Sequence, residues 1–462
     1  MAEILGKMTR HIHFVGIGGI GMSGIAQLFR LQGARVSGSD IRDNRNTAEL
    51  KKMGASVFIG HSFANIAGAD LIVYSSAIKD DNPEIIAAKK EGIPLLRRAE
   101  ALALLMRDKA VITVAGSHGK TTTTSLASYL MLEAGLCPTA AIGGILMNIN
   151  ANACMGRGRF FVAEADESDG SFLYYTPKYS IITNIDREHL DYYVNFENEV
   201  EAFRKFIFRT DPSGCVFCCS DDAYLKNIMK DYGNRYVFFG LRKPAQIYPQ
   251  NIEMKGVASE FDCFYKDKFI ARFRLALAGM HNISNALSVI ALGLELGINL
   301  EIIKKILRDY KGAGRRIEIK FESQELLIID DYAHHPTEIK ATLTAVKNIR
   351  PGRVIAIFQP HRFSRTQLLL DEFGKSFEMA DYVIVTDIYP AAEAPIDGVS
   401  GKRVYEKIKE YAPGKEARFL PKEQIAGYVM GMIKPLDTVI TLGAGDIVKV
   451  NDELVERIKG KR

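Results

Sequence analysis

The stretch VAGSHGKTTTTSLASYL, residues 114–130, sets Gly116, Ser117, His118, Gly119, Lys120, Thr121 and Thr122 between an apolar run and a helix-period segment. Glycines at such a junction let backbone amides cradle phosphates. Lys120 then neutralises β/γ oxygens, and the Thr121 hydroxyl is a hard ligand for magnesium. Earlier in the chain, HFVGIGGIGMSGIAQLF at 13–29 satisfies GxGxxG with Gly16, Gly18 and Gly21, with Gly19 inside the motif. That fingerprint puts a diphosphate on the amides of a helix N-terminus. Ser39 and Asp40 close the next strand in SGSD, and Ser75 and Ser76 end DLIVYSSA, where an open sheet gathers ligand contacts.

A magnesium site beside the second loop needs hard oxygen ligands at the carboxyl ends of neighbouring strands. RFFVAEADESDG supplies Glu164, Asp166 and Glu167 as its apolar run ends, and NIDREHLDYY supplies Asn184, Asp186, His189 and Asp191. Next to a GKT loop, Thr121, Glu164 and His189 read as the metal ligands.

The elements that must position these residues follow from a recurring unit: a β-branched run, a glycine-bearing turn, then a helix-period segment. HIHFVGI, ARVSGSD and DLIVYSSA start the series; AVITVAG, RFFVAEAD and YSIITNID continue it; VIAIFQ, DYVIVTD and TVITLGAGD close it. Such alternation specifies parallel sheets covered on both faces. At 462 residues the chain exceeds what one core serves. The expectation is an α/β protein of three domains, each on a mostly parallel sheet: a Rossmann-like domain over 1–107, a P-loop-type ATPase domain over 108–312 and a Rossmann-like domain over 313–462.

With 47% hydrophobic and 25% charged residues, the composition is that of an ordinary globular protein. A net charge of +5 from 60 basic and 55 acidic residues gives no argument for nucleic acid and suits anionic small substrates. MAEILGKMTRHIHF carries no long apolar core, and no run reaches the roughly 20 apolar residues of a membrane span. A cytoplasmic location without membrane insertion is expected. Six cysteines are too few for a disulfide framework, and CVFC at 215–218 lacks the second ligand pair of a zinc site, so it reads as buried thiols in a strand.

VAGSHGKTTTT, EADESDGSF, TNIDREHLDYY, HNISNAL, DDYAHHPTE and FQPHRFSRT, in that order over essentially the whole chain, resemble the Mur ligases of bacterial cell-wall synthesis. GIGGIGMSGIA followed by SGSD is most similar to the member acting first in that series. The resemblance implies two phosphorylated substrates for two loops: UDP-N-acetylmuramate on the first, ATP with magnesium on the second. ATP would phosphorylate the sugar's lactyl carboxylate, and the amino group of L-alanine would attack the acyl phosphate. It further implies Asn285 near the adenine or ribose, Arg315 or Arg316 near the phosphates and Asp331 near the ribose. His334, Arg362 and Arg365 would face the reacting carboxylate and the amino acid. The attacking amine must lose protons, for which His334 and His335 are both candidates, and guanidinium forks at Arg362 and Arg365 suit a carboxylate. A nicotinamide dehydrogenase accounts for GxGxxG and Asp40 but leaves GSHGKT, Glu164 and His189 without a task. A nucleotide-driven switch accounts for GKT but not for the acid and basic clusters of the third domain.

Overall fold

Strands covered on both faces read as continuous apolar runs, because every side chain meets a helix on one side or the other. The computed structural model, which describes residues 11–391 and 393–460, shows three such sheets. The stretch MAEILGKMTR and the last two residues of KGKR lie outside the described residues. The chain divides into two compact units, one running to Tyr248 and including Leu287–Ile306, the other comprising Pro249–Ala286 and the chain from Leu307.

The first unit holds two sheets. One is five-stranded and wholly parallel, in the order Ser56–Ile59, Arg35–Asp40, His11–Val15, Leu71–Tyr74, Leu95–Arg97. The glycine loop leaves His11–Val15, where the strand order reverses. In the other, Tyr236–Phe239, Cys215–Cys219, Tyr179–Ile182, Ala110–Ala115, Phe160–Glu164 and Thr139–Leu146 run parallel, and Ala151–Cys154 joins antiparallel at the edge. The GKT loop leaves Ala110–Ala115, again between strands that wind in opposite directions. Both loops therefore occupy switch points, the place where open α/β sheets leave a crevice. Cys215, Cys218 and Cys219 lie buried in their strand, as the apolar context requires.

Helix Ile20–Leu31 of the first sheet packs against Thr139–Leu146 and Ala151–Cys154 of the second. Asn152 ties them: its Nδ2 donates to Ile20 O at 2.7 Å and to Ser23 Oγ at 3.1 Å, and its Oδ1 accepts from Gln27 at 3.3 Å. In the second unit, Ala258–Tyr265 and Lys268–Leu275 form an antiparallel pair. A six-stranded sheet runs Glu318–Glu322, Leu326–Asp331, Asp437–Leu442, Val354–Phe358, Tyr382–Val385, Glu416–Phe419, parallel except at Glu318–Glu322. Its alternating residues feed two cores, Ile328, Ile357 and Val439 on one face, Leu327, Phe358 and Ile440 on the other. Among the described residues no helix is long and apolar enough to cross a membrane.

The first sheet encloses a polar seam. Ser37 Oγ lies 2.7 Å from His11 Nε2 and 2.8 Å from His13 Nδ1. Glu84, fully buried, accepts from Ser39 Oγ at 2.5 Å and Asn65 Nδ2 at 2.6 Å, and its Oε2 lies 3.5 Å from His13 Nε2. Burial alone would raise the Glu84 carboxyl, but His13, Ser39 and Asn65 overcome it and hold it at about 2, against an ordinary 4.5. A carboxyl depressed in the folded state stabilises it above the unfolded value and ceases to do so as pH falls through the folded one. The gap corresponds to on the order of 3 kcal/mol. Urea unfolding should therefore show stability falling as pH drops from about 4.5 toward 2, and Glu84→Gln should be less stable at neutral pH with a flatter acid limb. Parallel pH profiles for the two proteins would contradict this role.

Candidate active site

The GKT loop owes its shape to glycine. Gly116 has φ 136°, and a Cβ there would lie 2.0 Å from Thr183 Oγ1; Gly119, with φ 84°, caps helix Lys120–Glu133 from the left-handed region. The segment after Tyr179–Ile182 laces the loop in place. Asn184 Oδ1 accepts from His118 N at 2.9 Å, Asn184 O accepts from Ser117 N at 3.0 Å, and Asp186 Oδ2 meets His118 Nε2 at 2.8 Å. Asn184 and Asp186 thus shape the loop. Thr122 is buried in the first helical turn.

Lys120 Nζ donates to Gly116 O at 2.6 Å, to Ser117 O at 3.1 Å and to Glu167 Oε1 at 2.7 Å. Burial lowers a lysine's pKa, yet Glu167, Asp166 and Glu164 outweigh it here, and the ammonium is held above its ordinary value. Burial pushes the Glu167 carboxyl up while Lys120 pulls it back. Asp166, which burial would also raise, is held at about 2 by Arg98 and Lys120. A protonated lysine fixed at a phosphate loop is a point charge ready for transferring oxygens.

The expected metal ligands each have acidic or hydroxyl neighbours. Thr121 Oγ1 donates to Glu164 Oε2 at 3.0 Å, and Gly143 N donates to the same oxygen at 3.1 Å. A Cβ on Gly143 would fall 2.2 Å from that oxygen, so any side chain there displaces the carboxylate. A hydroxyl beside a carboxylate is a hard oxygen set that fits magnesium. His189 stands with Glu167 and Glu188: one ligand atom from each lies within 4.8 Å of the other two, a trio able to hold a cation. His189 has φ 53°, a left-handed conformation rare outside glycine and concentrated at functional sites. Glu188 adjoins His189 in sequence but is unmarked there; Gly143 lies in a plain apolar run.

At the first loop the amides engage the protein itself. Ser39 O accepts from Gly16 N at 2.8 Å and Ile17 N at 3.0 Å, and Asp40 Oδ2 accepts from Gly18 N at 2.9 Å. Gly18 has no room for a side chain, since a Cβ would lie 2.6 Å from Asn44 Nδ2 and 2.9 Å from Asp40. Gly19 caps helix Ile20–Leu31, whose first turn contains Gly21. Ser75 packs beside Gly16, and Ser76 is exposed. The Ser39 hydroxyl faces the Glu84 seam, so the backbone of this residue, and not its side chain, meets the loop.

In the second unit, Arg315 donates from Nε to Asp330 at 2.9 Å, and from its two Nη atoms to Gly445 O at 3.0 Å and Gly443 O at 2.7 Å. Those bonds make it a brace of the strand ends. Arg316 and Arg315 flank the Tyr332 ring at 5.2 and 5.1 Å. Asp331 accepts from Ile317 N and Ala333 N, and burial pushes its carboxyl up to about 6. Asn285 is buried in helix Met280–Glu295. The two histidines of DDYAHHP differ. His335 caps helix Pro336–Lys347, its Nδ1 accepting from Thr337 N at 3.4 Å. His334 Nδ1 lies 3.0 Å from Tyr332 O, which requires a proton on Nδ1 and leaves Nε2 the acceptor in the neutral ring. His361, which no spacing argument singled out, links His334 to Arg365. Its ring meets His334 edge-on at 5.6 Å, stacks on Tyr389 at 5.7 Å and contacts Arg365 Nη1 through Nδ1 at 3.2 Å. Burial, with His334, Arg365 and Arg362 adding, pulls it down to about 2 and keeps it neutral. Arg362 caps the next helix with φ 68° and lies 3.9 Å from Glu393.

Gly143→Ala would drive a methyl into the Glu164 carboxylate. The magnesium concentration giving half-maximal nucleotide turnover should rise roughly tenfold or more, the usual effect of disturbing a ligand's support. An unchanged magnesium titration would detach Glu164 from the metal.

Three domain families match the chain in sequence: the Mur ligase catalytic domain over residues 11–110, the Mur ligase middle domain over 114–293 and the Mur ligase glutamate ligase domain over 315–445. A UDP-N-acetylmuramate–L-alanine ligase of Syntrophus aciditrophicus is 43% identical over 99% of this chain and 96% of its own length. The crystal structure of UDP-N-acetylmuramate-alanine ligase from Thermotoga maritima superposes with a TM-score of 0.85 at 32% identity, over 98% of this chain and all of that one. A murein peptide ligase from Psychrobacter arcticus shares the fold, with a TM-score of 0.73 at 23% identity over 97% and 98% of the two chains. With two glycine loops at switch points, a lysine set among carboxylates and family matches along its length, the chain belongs to the Mur ligase family.

Proposed function

We propose that the protein joins L-alanine to the lactyl carboxylate of UDP-N-acetylmuramate through an acyl phosphate, converting ATP to ADP and phosphate in cytoplasmic peptidoglycan precursor synthesis. The observation that carries the reading is Lys120, held protonated at a GKT loop in the same compact unit as a second, diphosphate-type loop. The full-length resemblance to L-alanine ligases supports the choice of amino acid over the tripeptide of the murein peptide ligases.

The chemistry asks for two steps. A carboxylate oxygen attacks the γ-phosphorus and ADP leaves; then the amine nitrogen attacks the acyl carbon and phosphate leaves. Because the first step brings anion to anion, positive charge must be fixed beforehand. In this reading Lys120 meets the β/γ oxygens, and Gly116, Ser117, His118, Gly119 and Thr122 line the phosphates. Thr121 and Glu164 would hold magnesium, which supplies further charge neutralisation, with His189 serving a second ion. In the second unit the family resemblance assigns Asn285, Arg316 and Asp331 to the nucleotide, with Arg315 bracing the strand ends beside them. Arg362 and Arg365 bind the amino acid's carboxylate. His334 takes the proton from the amine at Nε2, since His335 is occupied as a helix cap. Residues 1–107 bind the sugar nucleotide through Gly16, Gly18, Gly19, Gly21, Asp40, Ser75 and Ser76, with Ser39 holding the loop from beneath, residues 108–312 bind ATP and residues 313–462 bind the amino acid.

ADP formation should require UDP-N-acetylmuramate and an amino acid together, with L-alanine best. Lys120→Ala should lower turnover by roughly 100-fold or more with an unchanged circular dichroism spectrum, and Lys120→Arg should restore little, because a planar fork does not replace a point charge. ATP hydrolysis independent of both substrates, or near-normal turnover in either variant, would overturn the assignment.

A further inference from the structure

Both phosphate loops lie in one compact unit, and one side chain touches the surroundings of each. Arg98 opens helix Arg98–Leu105 directly after the edge strand Leu95–Arg97 of the first sheet. Its stem crosses the glycine-loop helix at Gly21, where a Cβ would come within 3.3 Å of Arg98 Cδ and 3.4 Å of Nη1. At its far end Nη2 donates to Asp166 Oδ2 at 2.9 Å. Asp166 follows the strand Phe160–Glu164, whose end carries Glu164, and its other oxygen accepts from Ser168 N at 3.1 Å. The Arg98 side chain is 20% exposed, so its guanidinium is held and yet reachable. Tyr175, itself buried, places a hydroxyl without a hydrogen-bond partner in the same electrostatic neighbourhood.

We propose that Arg98 is a positioning residue for the sugar nucleotide, binding its anionic span between the diphosphate at the first loop and the carboxylate presented to the second. This rests on the function proposed above. The substrate must reach from one helix N-terminus to the other, and Arg98 is a cation fixed on that route at Gly21 on one side and Asp166 on the other. Asp166 holds the fork in orientation, which spares the ligand the cost of ordering a long side chain.

The test uses the full chain, with UDP-N-acetylmuramate as the titrant in calorimetry without ATP, and steady-state KM values for all three substrates. Arg98→Met, which keeps the stem and removes the charge, should weaken UDP-N-acetylmuramate binding roughly tenfold or more, the scale of a lost charged hydrogen bond, while the KM for ATP stays within about twofold. Arg98→Lys should recover part of the affinity by restoring charge without the fork. Undiminished sugar-nucleotide affinity in Arg98→Met overturns the inference, as does an equal rise in the KM for ATP. Should Arg98→Met melt too low for assay, Arg98→Lys carries the same comparison, and wild-type affinity in that variant together with an unchanged KM is the overturning result. Wild-type protein that releases no ADP in response to UDP-N-acetylmuramate and L-alanine would instead overturn the underlying function.

Discussion

The central constraint is electrostatic: a lysine must be kept charged while buried, at a place where two anions are to react. Lys120 meets that constraint through a carboxylate at 2.7 Å and two more nearby, set against the burial that would otherwise discharge it. The surrounding architecture follows from this. Glu167 and Asp166 must come from the strand beside the loop, so the loop has to leave the sheet at a switch point. The loop must bend sharply enough for the lysine to open a helix, so Gly116 and Gly119 adopt conformations that other residues avoid. Excess acid at one point must then be balanced further out, which Arg98 does at Asp166.

The first loop meets a different demand. A diphosphate set on backbone amides needs a loop of fixed shape, and here that shape comes from the sheet beneath. Ser39 and Asp40 hold the loop amides, Glu84 holds Ser39, and His13 stands beside Glu84. A buried polar network of this kind resists rearrangement, because moving one member strips its neighbours of their partners.

What the sequence disclosed was whatever is local. GSHGKT and GIGGIG announce themselves because phosphate binding needs glycine, lysine and threonine at fixed short spacing, and the strand-turn-helix alternation fixes the fold class. Glu164 was legible as the acid ending a strand next to the loop. Partnerships between distant segments were not legible. Nothing near Gly143 shows that it faces Glu164, since the two meet only when Thr139–Leu146 pairs with Phe160–Glu164. That His189 keeps company with Glu167 and Glu188 shows only in the fold, where it takes a left-handed conformation. The pair His334 and His335 could be told apart only once a helix was seen to begin on one of them. Arg98 looked like any arginine at the start of a helix.

The bond between Lys120 and Glu167 also bears on how this protein could be inhibited. A triphosphate docking at the loop must take the ammonium from an existing partner, so what it gains there is the difference between two ion pairs and not the whole of one. A neutral heterocycle competing for the same crevice leaves that pair undisturbed and forgoes only the difference. Uncharged, cell-permeant competitors are therefore under a smaller handicap against ATP than the charge of its phosphates suggests.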